Sequence, residues 1–248
     1  MARFWEVVNE VLEHADMLLL LLDARMVEET RNREIEDKVL RMGKPLVYVI
    51  TKSDLVPRAG LLKWKRRLNP CVFVSAKDRL GTGMLRERIL IEAHKAGLKW
   101  RVLRVGVLGY PNVGKSSLIN TLKGKKAAPV SSTSGYTKGV RNVRADTRIM
   151  LIDTPGVIPY REDDAIKHIL TGARDHTKVR EPDLVVMELM GRFPGRIERF
   201  YGVRALKDKE KTLERIALKR NLLLKGGKPD VMRMARTILQ DWQKGRIT

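Results

Sequence analysis

Apolar residues Phe4, Trp5, Val7, Val8, Val11, Leu12 and Ala15 recur at helical spacing, and the unbroken apolar run from Met17 to Leu22 follows at once. A single stripe with a period near 3.6 predicts an amphipathic helix, and a short run with no polar face predicts a strand covered on both sides. The alternation then repeats. A polar segment from Thr30 to Met42 precedes apolar Leu46 to Ile50, and a basic segment near Leu61 to Leu68 precedes Val72 to Val74. A further helix is predicted from about Met84 to Ala96, a strand from Val102 to Leu108, and two more strands over Val140 to Ala145 and Ile149 to Ile152. Helical segments alternating with short apolar strands indicate an α/β fold, a parallel sheet sandwiched between helices.

Beyond about Pro182 the chain becomes basic and helical. Leu213, Ile216 and Ala217, then Val231, Met234, Ala235, Ile238 and Leu239, mark two amphipathic helices. Between them Gly226-Gly227-Lys228-Pro229-Asp230 reads as a stop, a turn and a new start, with Asp230 as the N-cap. The expected organisation is an α/β domain over residues 1–180 and a small basic α-helical domain over residues 181–248.

Charge sharpens this picture. The chain of 248 residues carries a formal charge of +21, and self-repulsion on that scale is best offset by a polyanionic partner. The excess is densest from Gly191 to Thr248, with 16 basic and 6 acidic residues. On the polar faces of the two tail helices, Lys211, Arg215, Lys219, Arg220, Arg233, Arg236 and Lys244 are candidates for RNA phosphate contacts. Lys63, Lys65, Arg66 and Arg67 are the next candidates. A lone cysteine, Cys71, builds neither a disulfide framework nor a cysteine metal site within one chain, which suits a reducing compartment. No apolar run approaches the ~20 residues that cross a bilayer, so a cytoplasmic chain with no membrane association is expected.

Three short segments carry candidate chemistry. Gly109-Tyr110-Pro111-Asn112-Val113-Gly114-Lys115-Ser116 fits the P-loop pattern between an apolar strand and the helical segment that begins at Ser117. The glycines let backbone N–H groups around Val113, Gly114 and Ser117 turn toward phosphate oxygens, Lys115 brings a point charge to the β and γ phosphates, and Ser116 would ligate magnesium. Asp153-Thr154-Pro155-Gly156 closes the last predicted strand. Asp153 would hold the metal, and the Gly156 N–H would sense the γ-phosphate. Between them lies Ser134-Gly135-Tyr136-Thr137-Lys138, in which Thr137 is the expected magnesium-binding switch threonine and Thr133 the alternative. Guanine is read by an acceptor pair facing its ring N–H and exocyclic amine, which one carboxylate satisfies. Asp54 in Thr51-Lys52-Ser53-Asp54 can supply that pair, the stem of Lys52 would cover the base, and the Ala76 N–H in Ser75-Ala76-Lys77 would donate to the guanine oxygen. Both segments follow predicted buried strands.

These motifs resemble those of the Ras-related GTPases, but the base-reading segments precede the P-loop. In this order they are similar to the circularly permuted GTPases of the YlqF/RbgA ribosome-assembly family, in an archaeal-type variant. Asp23-Ala24-Arg25 and the tail from Arg220 to Asp230 add to the likeness, which spans nearly the whole chain. The resemblance implies a permuted P-loop GTPase sandwich with a C-terminal helical domain, binding of GTP and GDP with magnesium, and a switch role in ribosome assembly, the large subunit favoured. Ribosomal RNA or ribosomal particles are the implied partners, with no DNA expected and a monomer favoured. Lys115, Thr137 and Gly156 would then be the catalytic set. Val157 stands where the glutamine of Ras orients water, so intrinsic turnover should be slow. The related bacterial proteins carry an N-terminal histidine segment that this chain lacks, leaving His14, His168 and His176 as the available imidazoles. Asn112 would hold a potassium ion beside the phosphates, as in GTPases that resemble this one, or would simply brace the loop. A nucleotide-gated docking module with negligible turnover and a GTPase of tRNA modification are the competing readings.

Overall fold

The computed structural model describes residues 2–98, 102–123, 141–154, 165–173 and 175–247. The first compact unit spans Met1–Asp163. Its elements run α1 (Ala2–His14), β1 (Met17–Asp23), α2 (Arg33–Arg41), β2 (Leu46–Thr51), α3 (Arg58–Arg67), β3 (Cys71–Phe73), α4 (Thr82–Lys95), β4 (Leu103–Gly109), α5 (Lys115–Lys123), β5 (Arg141–Arg144) and β6 (Ile149–Asp153). Each predicted strand and helix of this region is present, displaced by a few residues at its ends.

The six strands form one sheet in the order β3-β2-β1-β4-β6-β5. All neighbours are parallel except β5, which pairs antiparallel with β6. Every residue of β1 is buried, as a central parallel strand requires. Leu18, Leu20 and Leu22 share one core with Val8, Val11 and Leu12 of α1, Ile35 and Val39 of α2, and Leu61 and Trp64 of α3. Successive strand residues point to opposite faces, and α4 and α5 bury Leu85, Ile89, Leu118 and Leu122. Two helical layers therefore enclose the sheet. Cys71 is half-buried, and burial pushes its thiol up to about 12, which disfavours the reactive thiolate.

The second compact unit spans Asp164–Thr248. It contains α6 (Ala165–Leu170), α7 (Pro182–Arg192), α8 (Arg196–Tyr201), α9 (Lys209–Lys219) and α10 (Val231–Gln243). The expected division at 180/181 thus moves forward in the chain. Its physical cause is visible in α10: Trp242 Nε1 donates to the Leu170 carbonyl at 2.9 Å and Gln243 Nε2 to the Ile169 carbonyl at 2.9 Å. These bonds tie α6 into the helical unit. The two expected tail helices are α9 and α10, and the Asp230 carboxylate accepts the Arg233 N–H at 2.9 Å as the N-cap of α10. Of the basic candidates, Lys211, Arg215, Lys219, Arg220, Arg233 and Lys244 are exposed, while Arg236 is half-buried. Among the described residues no helix is long and apolar enough to cross a membrane.

Candidate functional site

The sheet changes direction between β1 and β4: β2 and β3 extend it on one side, β6 and β5 on the other. Ligands of open α/β sheets bind at such a point, beyond the C-terminal strand ends. The pairing register lines up the last residues of adjacent strands there. Asp23 of β1 lies opposite Thr51 of β2, Gly109 of β4 opposite Leu21 of β1, and Asp153 of β6 opposite Val107 of β4. Val74 N donates to the Ile50 carbonyl at 2.8 Å, which carries the row on to Ser75. The segments expected to read base and phosphate therefore share one edge of the sheet.

Beyond β4 the chain turns through the P-loop into α5. Gly114 has φ +101°, a conformation closed to most side chains, and a Cβ there would already touch Thr51 at 3.7 Å. Thr51 itself is buried, its hydroxyl 2.5 Å from the Val113 carbonyl and 3.0 Å from the Leu22 carbonyl. One hydroxyl thus connects β1, β2 and the P-loop, joining residues 62 positions apart. The ammonium of Lys115 donates to the carbonyls of Gly109 at 3.0 Å and Tyr110 at 2.7 Å. Burial lowers its pKa to about 8, a shift that the Asp153 charge partly opposes.

That shift has a measurable consequence. Phosphate oxygens would keep the ammonium charged, so the bound pKa exceeds the free one and nucleotide affinity is expected to fall as pH rises through about 8. Calorimetry at pH 9 in two buffers of different ionisation enthalpy should show proton uptake on binding, and at pH 7 almost none. Equal proton counts at both pH values would show that Lys115 is charged throughout.

Asp153 is buried at the end of β6, beside the strand that leads into the P-loop, and Ser116 is half-buried in the first turn of α5. A hydroxyl and a carboxylate are hard oxygen donors, the kind that holds magnesium together with phosphate oxygens and water. The neighbouring Thr154 hydroxyl donates to the Val107 carbonyl at 2.8 Å and anchors the chain just after Asp153. Thr133, Thr137, Gly156 and Val157 lie outside the described residues.

On the side of β2 and β3, Ser53 N donates to the Val74 carbonyl at 3.2 Å, so the two loops expected to read the base hold each other. Asp54 sits exposed in the short 3-10 helix Ser53–Leu55, and Lys77 is likewise exposed. Ser75 is buried, and its hydroxyl accepts the Asp78 N–H at 3.1 Å. Gly81 closes this turn with φ +80°, where a Cβ would stand 2.0 Å from the Phe73 carbonyl oxygen. Ala76 is thereby held half-buried at the mouth of the row.

Known proteins resemble the chain. Residues 104–224 match the family described as "50S ribosome-binding GTPase". An uncharacterized GTP-binding protein of Methanocaldococcus jannaschii is 42% identical over 247 residues, covering 98% of this chain and 65% of its own length. The Nucleolar GTP-binding protein 2 of Neurospora crassa is 35% identical over 259 residues, covering 99% of this chain and 41% of its own. The chain thus spans less than two thirds of these relatives. GNP-bound YlqF from T. maritima superposes with a TM-score of 0.66 at 21% identity, over 98% of this chain and 94% of that one. The chain has the fold of the circularly permuted GTPases.

Two features of the site escaped the motifs. Asp23, marked in the sequence only by resemblance, lies buried against Lys52, with Lys52 Nζ 2.7 Å from Oδ2. A carboxylate ending an otherwise apolar strand was the available signal, since a buried charge demands a partner. Burial alone would raise the Asp23 carboxyl, but the Lys52 and Arg25 charges override it and hold the group far below the usual carboxylate range. The second feature concerns the imidazoles. His14 ends α1, ahead of the first residue of β1 and so at the opposite edge of the sheet from the P-loop. His168 is buried within the helical unit, and His176 Nδ1 lies 3.1 Å from Gln243 Oε1. Of the three, His14 stands apart from the row of strand ends, and His168 and His176 belong to the helical unit.

Proposed function

We propose that the chain binds GTP and GDP with magnesium, hydrolyses GTP slowly, and uses the two nucleotide states to time a step of ribosome assembly. The observation that supports the nucleotide reading is the Thr51 hydroxyl, 2.5 Å from the Val113 carbonyl, which sets the segment from Thr51 to Asp54 beside the P-loop. Asp54 would accept from the guanine ring N–H and amine, with the Lys52 stem and the Ala76 N–H completing the base site. Lys115 and the P-loop N–H groups would hold the phosphates. When bound, magnesium would offset negative charge on the β and γ phosphate oxygens, held by Ser116 and Asp153. Thr137 and Gly156 remain the proposed switch contacts. Asn112 has φ +56°, a conformation that asparagine tolerates; exchanging potassium for sodium at fixed ionic strength separates its two proposed roles, an ion ligand and a brace of the loop.

A ribosomal partner is supported by the description of the matched family, by the nucleolar relatives, and by the charge of +21. The large subunit and its RNA are the proposed target. GTP turnover with and without purified subunits, together with GTP-dependent co-sedimentation, tests both parts. Turnover below the buffer rate in every condition would leave only a docking module, and pelleting with tRNA instead of subunits would point to tRNA modification.

The helical unit is the proposed RNA contact. Lys219 donates to the Gly202 carbonyl and Arg220 lies over the Tyr201 ring, so both already serve within the unit. Lys211, Arg215, Arg233 and Lys244 are exposed. Replacing these four by glutamine should lower the slope of log affinity against log salt by about 3 to 4, if each neutralises one phosphate. An unchanged slope would move the RNA site to Lys63, Lys65, Arg66 and Arg67 of α3, which are exposed too.

A further inference from the structure

The carboxylate of Asp23 has four donors and room for no more. Its Oδ1 accepts from the Arg25 N–H at 3.0 Å and from Arg25 Nε at 3.1 Å, and its Oδ2 accepts from Arg25 Nη2 at 2.9 Å and from Lys52 Nζ at 2.7 Å. A carboxylate offers about four lone-pair sites, so Asp23 is left with no capacity to bind metal or take a proton. Arg25 fixes the plane of the group. The Asp23 N–H donates to the Thr30 hydroxyl at 3.0 Å, and that hydroxyl donates to the Met26 carbonyl at 2.7 Å. The acceptor offered to Lys52 is therefore rigid.

Lys52 reaches it by an unusual course. Its backbone is left-handed, with φ +53°, a conformation that costs a residue with a Cβ roughly 1 kcal/mol. Its side chain is 24% exposed against 2% for Asp23. Because the ammonium is the end bound to the buried carboxylate, the exposed part is the hydrocarbon stem. Lys52 directly follows the last residue of β2, between Thr51, whose hydroxyl meets the P-loop carbonyl of Val113, and Asp54.

We propose that Asp23 is a positioning residue for guanine recognition: it draws the Lys52 ammonium inward and so presents the Lys52 stem as the flat apolar seat of the base. The inference rests on the guanine reading above and adds to it a residue from a different strand. A purely structural ion cluster would stabilise the unit without favouring base over phosphate. A seat for the base favours guanine nucleotide and leaves the phosphate loop untouched.

Three variants, Asp23→Asn, Lys52→Met and the double variant, separate these readings when titrated with fluorescent GDP plus magnesium and competed with inorganic pyrophosphate. Asp23→Asn should weaken GDP at least about tenfold, while pyrophosphate affinity stays within about threefold. In the Lys52→Met background the same change should have almost no effect on GDP, because the ammonium to be positioned is gone. Equal losses for GDP and pyrophosphate, or an Asp23→Asn effect undiminished in the Lys52→Met background, would overturn the proposal. Should Asp23→Asn alone fail to fold, with two buried cations left facing an amide, Lys52→Met against the double variant decides: equal GDP affinity supports the positioning role and a tenfold difference refutes it. A wild-type chain that binds no guanine nucleotide would instead overturn the reading on which this one rests.

Discussion

Asp54→Asn is expected to weaken GTP about a thousandfold and to turn the preference of the site toward xanthosine triphosphate. The carboxylate presents two acceptors to two guanine donors. Its amide replacement faces one of those donors with an N–H, leaving a polar group unpaired and losing a charge-assisted bond, a penalty of about 4 kcal/mol. Xanthine carries an oxygen where guanine carries the amine, so the amide matches it. The structure supplies the geometry that such a switch needs: the turn Ser53–Leu55 is tied to the neighbouring loop through Val74 and closed by the Leu55 N–H to the Lys52 carbonyl at 3.0 Å. The carboxylate is exposed, so the substitution disturbs no core contact. Titration of the wild-type and variant chains with GTP, XTP and ATP gives the comparison. Wild-type affinities for ATP and GTP within a factor of two would remove Asp54 from the base site.

Trp242→Ala should destabilise the helical unit by about 3 to 5 kcal/mol. Trp242 is wholly buried, its ring lies 5.0 Å from that of Phe193 at 37°, and its N–H satisfies the Leu170 carbonyl. Truncation opens a cavity, removes a ring pair and strands a buried carbonyl, three losses at one position. Because Met1–Asp163 and Asp164–Thr248 are separate compact units, the damage belongs to the second. Calorimetric melting should show one transition lowered by several degrees or more, with GDP affinity kept within about twofold. An unshifted melting profile would mean that Trp242 is not the keystone of that unit.

Most of the α/β unit was legible because its signals are local. The run from Met17 to Leu22 could only be a covered strand, and the P-loop announces itself by fixed spacing between a strand and a helix. Asp230 was readable as a cap for the same reason. The helical unit was harder. In α7, Val185, Val186, Leu189 and Met190 are buried while Leu184 is exposed, so apolar residues surround the helix and blur the single stripe that betrays α9 and α10. The forward boundary was hidden too, since what binds α6 to α10 is a pair of bonds to main-chain carbonyls, which no side-chain pattern records. Asp23 shows the deepest limit: its role depends on Lys52, 29 positions away, and only the pairing of β1 with β2 brings the two together.

The strand order has one more consequence, for how the molecule is made. The first three strands form a contiguous half-sheet, β3-β2-β1, and the last three another, β4-β6-β5, so the halves meet along a single seam, β1 against β4. A ribosome making this chain delivers the half that carries Asp54 first. Until residues 103–109 emerge, the wholly buried strand Met17–Asp23 has one edge of N–H and C=O groups with no partner. A long apolar edge of that kind recruits other strands. The same order that is harmless to the finished sheet therefore leaves the nascent chain with an aggregation-prone edge, which closes only when the strand leading into the P-loop arrives.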